Sequence, residues 1–183
     1  MHNIFERRTK LDRQYRFLTM ALVLLCPLAA HAADVATELK DQDDQVLGQV
    51  EVTEIESGVL IKAMIENLPP GTHAFHIHET GECDPATEFK SAGGHLNNGS
   101  EHGFMNEGGP HPGDMPNIHV PESGRLVIEI VNERVQIESG DLTALQDEDG
   151  AAMVVHNGAD DYVSEPAGDA GDRIACAVLF EPQ

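Results

Sequence analysis

The sequence predicts an all-β fold, an antiparallel sandwich or barrel, and three observations support this. From Val35 onward the chain is a series of short β-type runs: VATEL, VLGQVEVTEIE, GVLIKAMIENL, HAFHIH, NIHV, RLVIEIV, AAMVVH and RIACAVLF, with RVQI as a ragged extension. Turn residues separate them at Asp43-Asp44, Glu56-Ser57-Gly58, Pro69-Pro70-Gly71, Glu122-Ser123-Gly124 and Glu148-Asp149-Gly150. No amphipathic stretch is long enough to make a helix. QVEVTEI and RLVIEI alternate apolar and polar residues, as strands do with one face in a core and the other in water. There is no internal repeat and no sign of a second folded domain.

The first 32 residues have a different character. MHNIFERRTKLDRQYR holds five of the chain's eleven basic residues, FLTMALVLLCPLAA is apolar, and Ala30-His31-Ala32 fits the small-x-small cleavage rule. This reads as a secretory signal peptide, residues 1–32, cleaved after Ala32 and followed by one domain over 33–183. The rival reading is an uncleaved anchor, which the apolar run is short to support. Cys26 follows Leu25 rather than a small residue, which argues against a lipoprotein.

The whole chain carries a formal −21. Without the leader, 6 basic side chains face 30 acidic ones, a formal −24. Such a surface excludes nucleic acid and anionic membranes as partners, because binding them needs Lys/Arg clusters. With no apolar segment after the leader, the mature chain is expected to be soluble, without stable membrane association, and periplasmic or otherwise exported. Cys83 and Cys176 then meet an oxidising compartment and are expected to pair. No stretch announces an oligomeric interface, and a homodimer is the candidate assembly.

Two segments break the strand-turn rhythm. Glu79 to Pro116 is long, rich in Gly and Pro, and contains His95, His102, His111 and Asp114. Asn157 to Asp172 is a second long connection of acidic and small residues. Loops of this length are usually functional.

The histidines give the loops a chemistry. His76 and His78, at i and i+2 on a strand, present two imidazoles to one side. His156 closes AAMVVH, His95 follows Ser91-Ala92-Gly93-Gly94, and His111-x-x-Asp114 offers an imidazole and a carboxylate from one tight turn. A lone histidine is more often an ordinary surface or core residue, but six with an aspartate at such spacings point to metal. All-imidazole sites suit copper or zinc, and three nitrogens with a carboxylate suit zinc.

In HAFHIHETGEC, SAGGHLN, HGF…HPGDMPN, MVVHNGADD and GDRIACAVL, taken in order from about Val35 to the C-terminus, the chain resembles the copper/zinc superoxide dismutase family in its bacterial secreted form. The resemblance implies a flattened eight-stranded Greek-key barrel, an immunoglobulin-like sandwich, with two long functional loops. It implies superoxide as substrate, oxygen and hydrogen peroxide as products, and one copper and one zinc as cofactors. His76, His78, His95 and His156 match the copper ligands. His95, His102, His111 and Asp114 match the zinc ligands, making His95 the bridging imidazolate and a proton carrier. Asp160 matches a carboxylate that hydrogen-bonds one ligand of each metal, and Arg173 an arginine that guides the anion. Cys83 and Cys176 match the family's disulfide; closing about 92 residues, it should stabilise the fold by roughly 4–5 kcal/mol. His73 is expected to be a hydrogen-bonding residue, and His119 an ordinary one.

Two departures accompany the match. The His95–His102 segment, LNNGSE, is shorter than the family pattern and lacks its usual proline, although Gly99 could let it close. The loop before Arg173 holds no Lys or Arg, so steering of an anion should be weak. The other readings are a dismutase-like copper/zinc binding or delivery protein and a mononuclear zinc hydrolase. The hydrolase would leave three or more histidines unexplained.

Overall fold

A computed structural model describes residues 35–138, 140 and 143–183; the leader reading falls outside them. The strands are β1 (Val35–Asp41), β2 (Val46–Ile55), β3 (Gly58–Ile65), β4 (Gly71–His73), β5 (Phe75–His78), β6 (Ile118–Val120), β7 (Leu126–Asn132), β8 (Val135–Gln136), β9 (Thr143–Ala144), β10 (Ala151–His156) and β11 (Arg173–Phe180). Seven of them form one antiparallel sheet in the order β5-β10-β11-β1-β2-β3-β7, while β4 pairs with β6 and β8 with β9.

The expected eight strands are present, since β4 and β5 are one run. Only Ala74 separates them, and its backbone bonds the end of β10 and the loop beyond it: Ala74 N–H donates to Gly158 O at 2.7 Å and His156 N–H to Ala74 O at 2.9 Å. Joined in this way, the strands run β6, β4/β5, β10, β11, β1, β2, β3, β7. The link from β3 to β4 and the return from β7 to β10 each cross between the two ends of that order, which is Greek-key connectivity. The ragged RVQI extension supplies β8, which pairs in parallel with β9.

Curling the sheet encloses one core. Val50, Val52, Ile61, Phe75, Ile77, Met153, Val155, Ala175 and Ala177 are among its buried members. Because side chains alternate along a strand, placing Phe75 and Ile77 inside sends His76 and His78 to the outer face. That face is not left to water. The 79–116 loop folds over it and builds a second apolar cluster from Phe89, Ala92, Ala152, Val154 and Cys176, with Cys83 packed against it.

Three attachments hold the loop down. The Cys83–Cys176 disulfide ties it to β11. Arg173 donates to the carbonyls of Phe89 at 2.6 Å and Gly93 at 2.7 Å. The edge of β5 facing away from β10 is used as well: Ile77 N–H bonds Gly113 O, Leu96 N–H bonds Ile77 O and Gly113 N–H bonds Leu96 O, each at 2.9 Å. Gly113 is required there, since a Cβ would stand 2.2 Å from Ile77 O. The second long loop closes on itself, with Asn157 N–H bonding Asp172 O at 2.7 Å and Gly158 N–H bonding Ala170 O at 2.8 Å.

Candidate metal centre

The fold brings the histidines into two adjoining groups. His76, His78, His95 and His156 form one, and His95, His102, His111 and Asp114 the other; within each, the potential ligand atoms lie within 4.8 Å of one another, and all seven residues are buried. His95 belongs to both. Every one of these positions was legible in the sequence.

In the first group each imidazole has one nitrogen committed and one free. His76 Nε2 donates to Asp160 Oδ2 at 2.7 Å, His78 Nδ1 to Gly93 O at 3.1 Å and His156 Nδ1 to Gly171 O at 3.2 Å. His76 Nδ1, His78 Nε2, His95 Nε2 and His156 Nε2 have no hydrogen-bond partner and are fully buried. Leaving a buried polar atom unsatisfied costs about 1–3 kcal/mol. Four such atoms in one group, each with its lone pair free because the other nitrogen carries the proton, fit a cation with nitrogen ligands.

In the second group three Nδ1 atoms crowd one oxygen. His95, His102 and His111 place Nδ1 at 2.8, 3.1 and 3.3 Å from Asp114 Oδ1. A tetrahedron with metal–ligand bonds of about 2.0 Å has edges of about 3.3 Å, so the spacing fits a small tetrahedral dication. The second Asp114 oxygen is already occupied, accepting from Gly103 N–H at 2.8 Å and His111 N–H at 2.9 Å, which leaves Oδ1 for the ion. Burial alone would raise the Asp114 carboxyl, but the hydrogen bonds from His95 and Gly103 hold it well below the ordinary carboxylate range.

Asp160 joins the groups from outside. One oxygen takes His76 Nε2–H and the other takes His102 Nε2–H at 3.0 Å, so one carboxylate fixes the tautomer of a ligand in each group. Burial works to raise it, yet these two bonds pull it down to about 2. Burial likewise lowers His95 to about 4 and His156 to about 3, so both are neutral and able to ligate near pH 7. His78 is pushed well below its ordinary value, by burial first and then by His95 and Arg173.

The short His95–His102 segment does not disturb the site. Gly99 takes φ +95°, its N–H bonds Asn97 Oδ1 at 2.7 Å, and His102 reaches its place. His73 spans Pro69 O and His156 O, both at 2.9 Å, and holds the strand end beneath His156. His119 only meets Thr72 Oγ1 at the surface.

Several supporting residues carried no signal in the sequence. Asn117 accepts Asp160 N–H at 2.8 Å and donates to Asp160 O at 2.9 Å. Arg134 donates to Asp114 O at 2.6 Å and lies over the Phe104 ring at 5.3 Å. Glu165 accepts His102 N–H at 2.7 Å. Gly168 leaves room for the Asp160–His102 pair.

Fold and site define an all-β protein that can hold two cations through one shared imidazole. Residues 46–179 match the copper/zinc superoxide dismutase family. Superoxide dismutase (Cu-Zn) 2 of Aquifex aeolicus is 49% identical over 154 residues, 83% of this chain and 86% of the relative. A crystal structure of a double mutant of a SOD-like protein from Bacillus subtilis aligns with TM-score 0.77 at 36% identity, covering 81% of this chain and 99% of that one. The Cu/Zn superoxide dismutase from Brucella abortus aligns with TM-score 0.63 at 26% identity, covering 80% and 99%. This chain belongs to the copper/zinc superoxide dismutase family. It is an oxidoreductase that uses copper and zinc to convert superoxide to oxygen and hydrogen peroxide.

This geometry generates two predictions. At Gly168 (φ +66°) an added Cβ would stand 1.9 Å from Asp160 Oδ1 and 2.8 Å from His102 Nε2. Gly168→Ala should therefore weaken metal binding by the His102-containing group about 10–100-fold in chelator competition; an unchanged affinity would contradict the role given to Asp160. The second prediction concerns the metal-free chain. His95 titrates at 6.5 when unfolded and at about 4 when folded, so between these values the unfolded state binds more protons and stability rises with pH. Denaturant midpoints should fall steadily as pH is lowered from 6.5 towards 4, and a flat profile would show that these imidazoles are not held neutral.

Proposed function

We propose that the first group holds copper and the second zinc, that Arg173 and His95 act on the substrate and its protons, and that the enzyme works in the periplasm or another exported compartment. The observation that carries the reading is His95, which turns Nδ1 towards Asp114 and leaves Nε2 free among His76, His78 and His156. Its ring lies 4.0 Å from that of His76 and 5.1 Å from that of His102, centroid to centroid.

When bound, copper supplies the one-electron couple for taking an electron from one superoxide and giving it to a second, and zinc supplies a fixed positive charge beside the bridge. The chain's own residues do the rest. His95 belongs to both groups, so with both ions held its imidazole would be strongly acidified. Its Nε2, which no other group of the protein bonds, would carry a proton to the reduced product, and a second proton from water would complete hydrogen peroxide. Asp160 keeps His76 and His102 oriented while His95 changes its proton count.

Arg173 is half-buried and lines a mouth at the surface with Gly171 and Ile174. Two of its N–H groups are anchored on Phe89 O and Gly93 O, leaving others for an anion. Gly93 O also accepts from His78 Nδ1, which brings the guanidinium beside the copper group. Storage or delivery of metal would need no such guide. Export is supported by the leader pattern and by the Cys83–Cys176 disulfide, which suits an oxidising compartment. Among the described residues no helix is long and apolar enough to cross a membrane.

The mouth beside Arg173 is lined also by Lys90, Glu88 and Asp172, two charges of each sign, and Lys90 is paired to Glu88 at 2.6 Å. With the local charge balanced, the long-range field of an acidic protein decides how salt acts on the rate. kcat/KM for superoxide, measured by pulse radiolysis, should therefore stay flat or rise as ionic strength is raised. Arg173→Ala should lower it about tenfold or more with both metals retained. A rate that falls steeply with salt, or one unaffected by the substitution, would remove Arg173 from the proposed role.

A further inference from the structure

A cleft of about 460 Å³ opens over the centre where His95 and His111 reach the surface loops. Its rim carries three exposed carboxylates, Glu79, Glu101 and Glu165, and it is lined by His95 and His111, with no Lys or Arg among its residues. Both histidines are well covered. The His111 side chain is 6% exposed and that of His95 2%. The contrast with the mouth that Arg173 and Lys90 line is a contrast of charge: one opening is acid-only, the other is balanced.

We infer that this acidic cleft is the capture site for the divalent cation that fills the His95–His102–His111–Asp114 group, an inference resting on the assignment of that group to zinc. None of the three glutamates belongs to either ligand group, so their part is in the approach of the ion. Glu79 Oε1 accepts Gly94 N–H at 2.8 Å and Glu165 Oε1 accepts His102 N–H at 2.7 Å. Each side chain is thus held in place by one oxygen while the other remains for a passing cation. The bonds also tie the rim to the ligands themselves, since Gly94 precedes His95 and His102 is a ligand. A hydrated dication drawn between three carboxylates meets His111 and His95 directly beneath them. Shedding water in steps, carboxylate first and imidazole second, suits a borderline ion passing to a mixed nitrogen and oxygen site. The same surface charge that hinders an anion elsewhere accelerates this step.

The test is the rate of Co²⁺ binding, followed by its d–d absorption after rapid mixing with the metal-free, disulfide-intact full chain, with Zn²⁺ then measured by competition. Glu→Gln at 79, 101 and 165 together keeps the side-chain oxygen that accepts from Gly94 and His102. This variant should lower the second-order rate constant about tenfold or more at about 0.1 M salt, leaving the dissociation rate and the final Co²⁺ spectrum unchanged. The difference should vanish near 1 M salt, where the screening length is about 3 Å. Glu38 on β1, Glu51 on β2 and Glu66 just beyond β3, changed to Gln together, remove the same charge at positions remote from the cleft in sequence and should leave the rate within about twofold, as mere net charge is screened beyond about 10 Å. Equal slowing in both variants, or stoichiometric binding at the wild-type rate in the cleft variant, overturns the capture site alone. Failure of the unaltered chain to bind one Co²⁺ with a tetrahedral spectrum overturns the zinc assignment along with it.

Discussion

The imidazole of His95 has to serve two donor groups at once, and much of the structure holds it in the one place where that is possible. It sits on a loop with little secondary structure of its own, so its position is borrowed from the sheet. Leu96, immediately after it, pairs with Ile77 on the edge of β5, and the same Ile77 pairs with Gly113 next to Asp114. One strand residue, itself buried in the core, thereby registers His95 and Asp114 against His76 and His78 on either side of it. Any slip by one residue would carry the histidines to the core face.

The loop could not hold this arrangement through backbone pairing alone. Phe89 and Ala92 bury themselves against Ala152 and Val154, and the disulfide closes over them. Arg173 joins the same assembly by bonding two loop carbonyls. The residue proposed to guide the anion therefore also fastens the loop that shapes its path, and structure and function are coupled at that side chain. Asp160 plays the corresponding part on the other loop, where Asn117 and the space left by Gly168 set its angle.

The sequence carried the ligands and most of the strands because both obey short-range rules. Spacing of i and i+2 put His76 and His78 on one face, and turn residues marked the strand ends. The eight strand runs read from the pattern are those found, with β4 and β5 as two parts of one run. Contacts made across the fold could not be read in this way. Arg134 reaches Asp114 over 20 residues and Glu165 reaches His102 over 63, and neither residue stands in a pattern that announces its partner. The charge around Arg173 was only partly legible for the same reason. The loop before Arg173 has no cation, as the sequence showed, but Lys90 arrives at the mouth from the other loop. The acidic excess reads as a handicap in the sequence, whereas the structure gathers three of its members in one cleft with His95 and His111.

The central claim is that one imidazole lies between the two metals. The most direct measurement is electron paramagnetic resonance of protein carrying Cu²⁺ in the His76–His78–His156 group and Co²⁺ in the His102–His111–Asp114 group. If His95 bridges them as an imidazolate, the two spins couple and the ordinary Cu²⁺ signal disappears, to return when Co²⁺ is replaced by Zn²⁺. A full, unperturbed Cu²⁺ signal in the doubly loaded protein would mean that His95 serves only one metal.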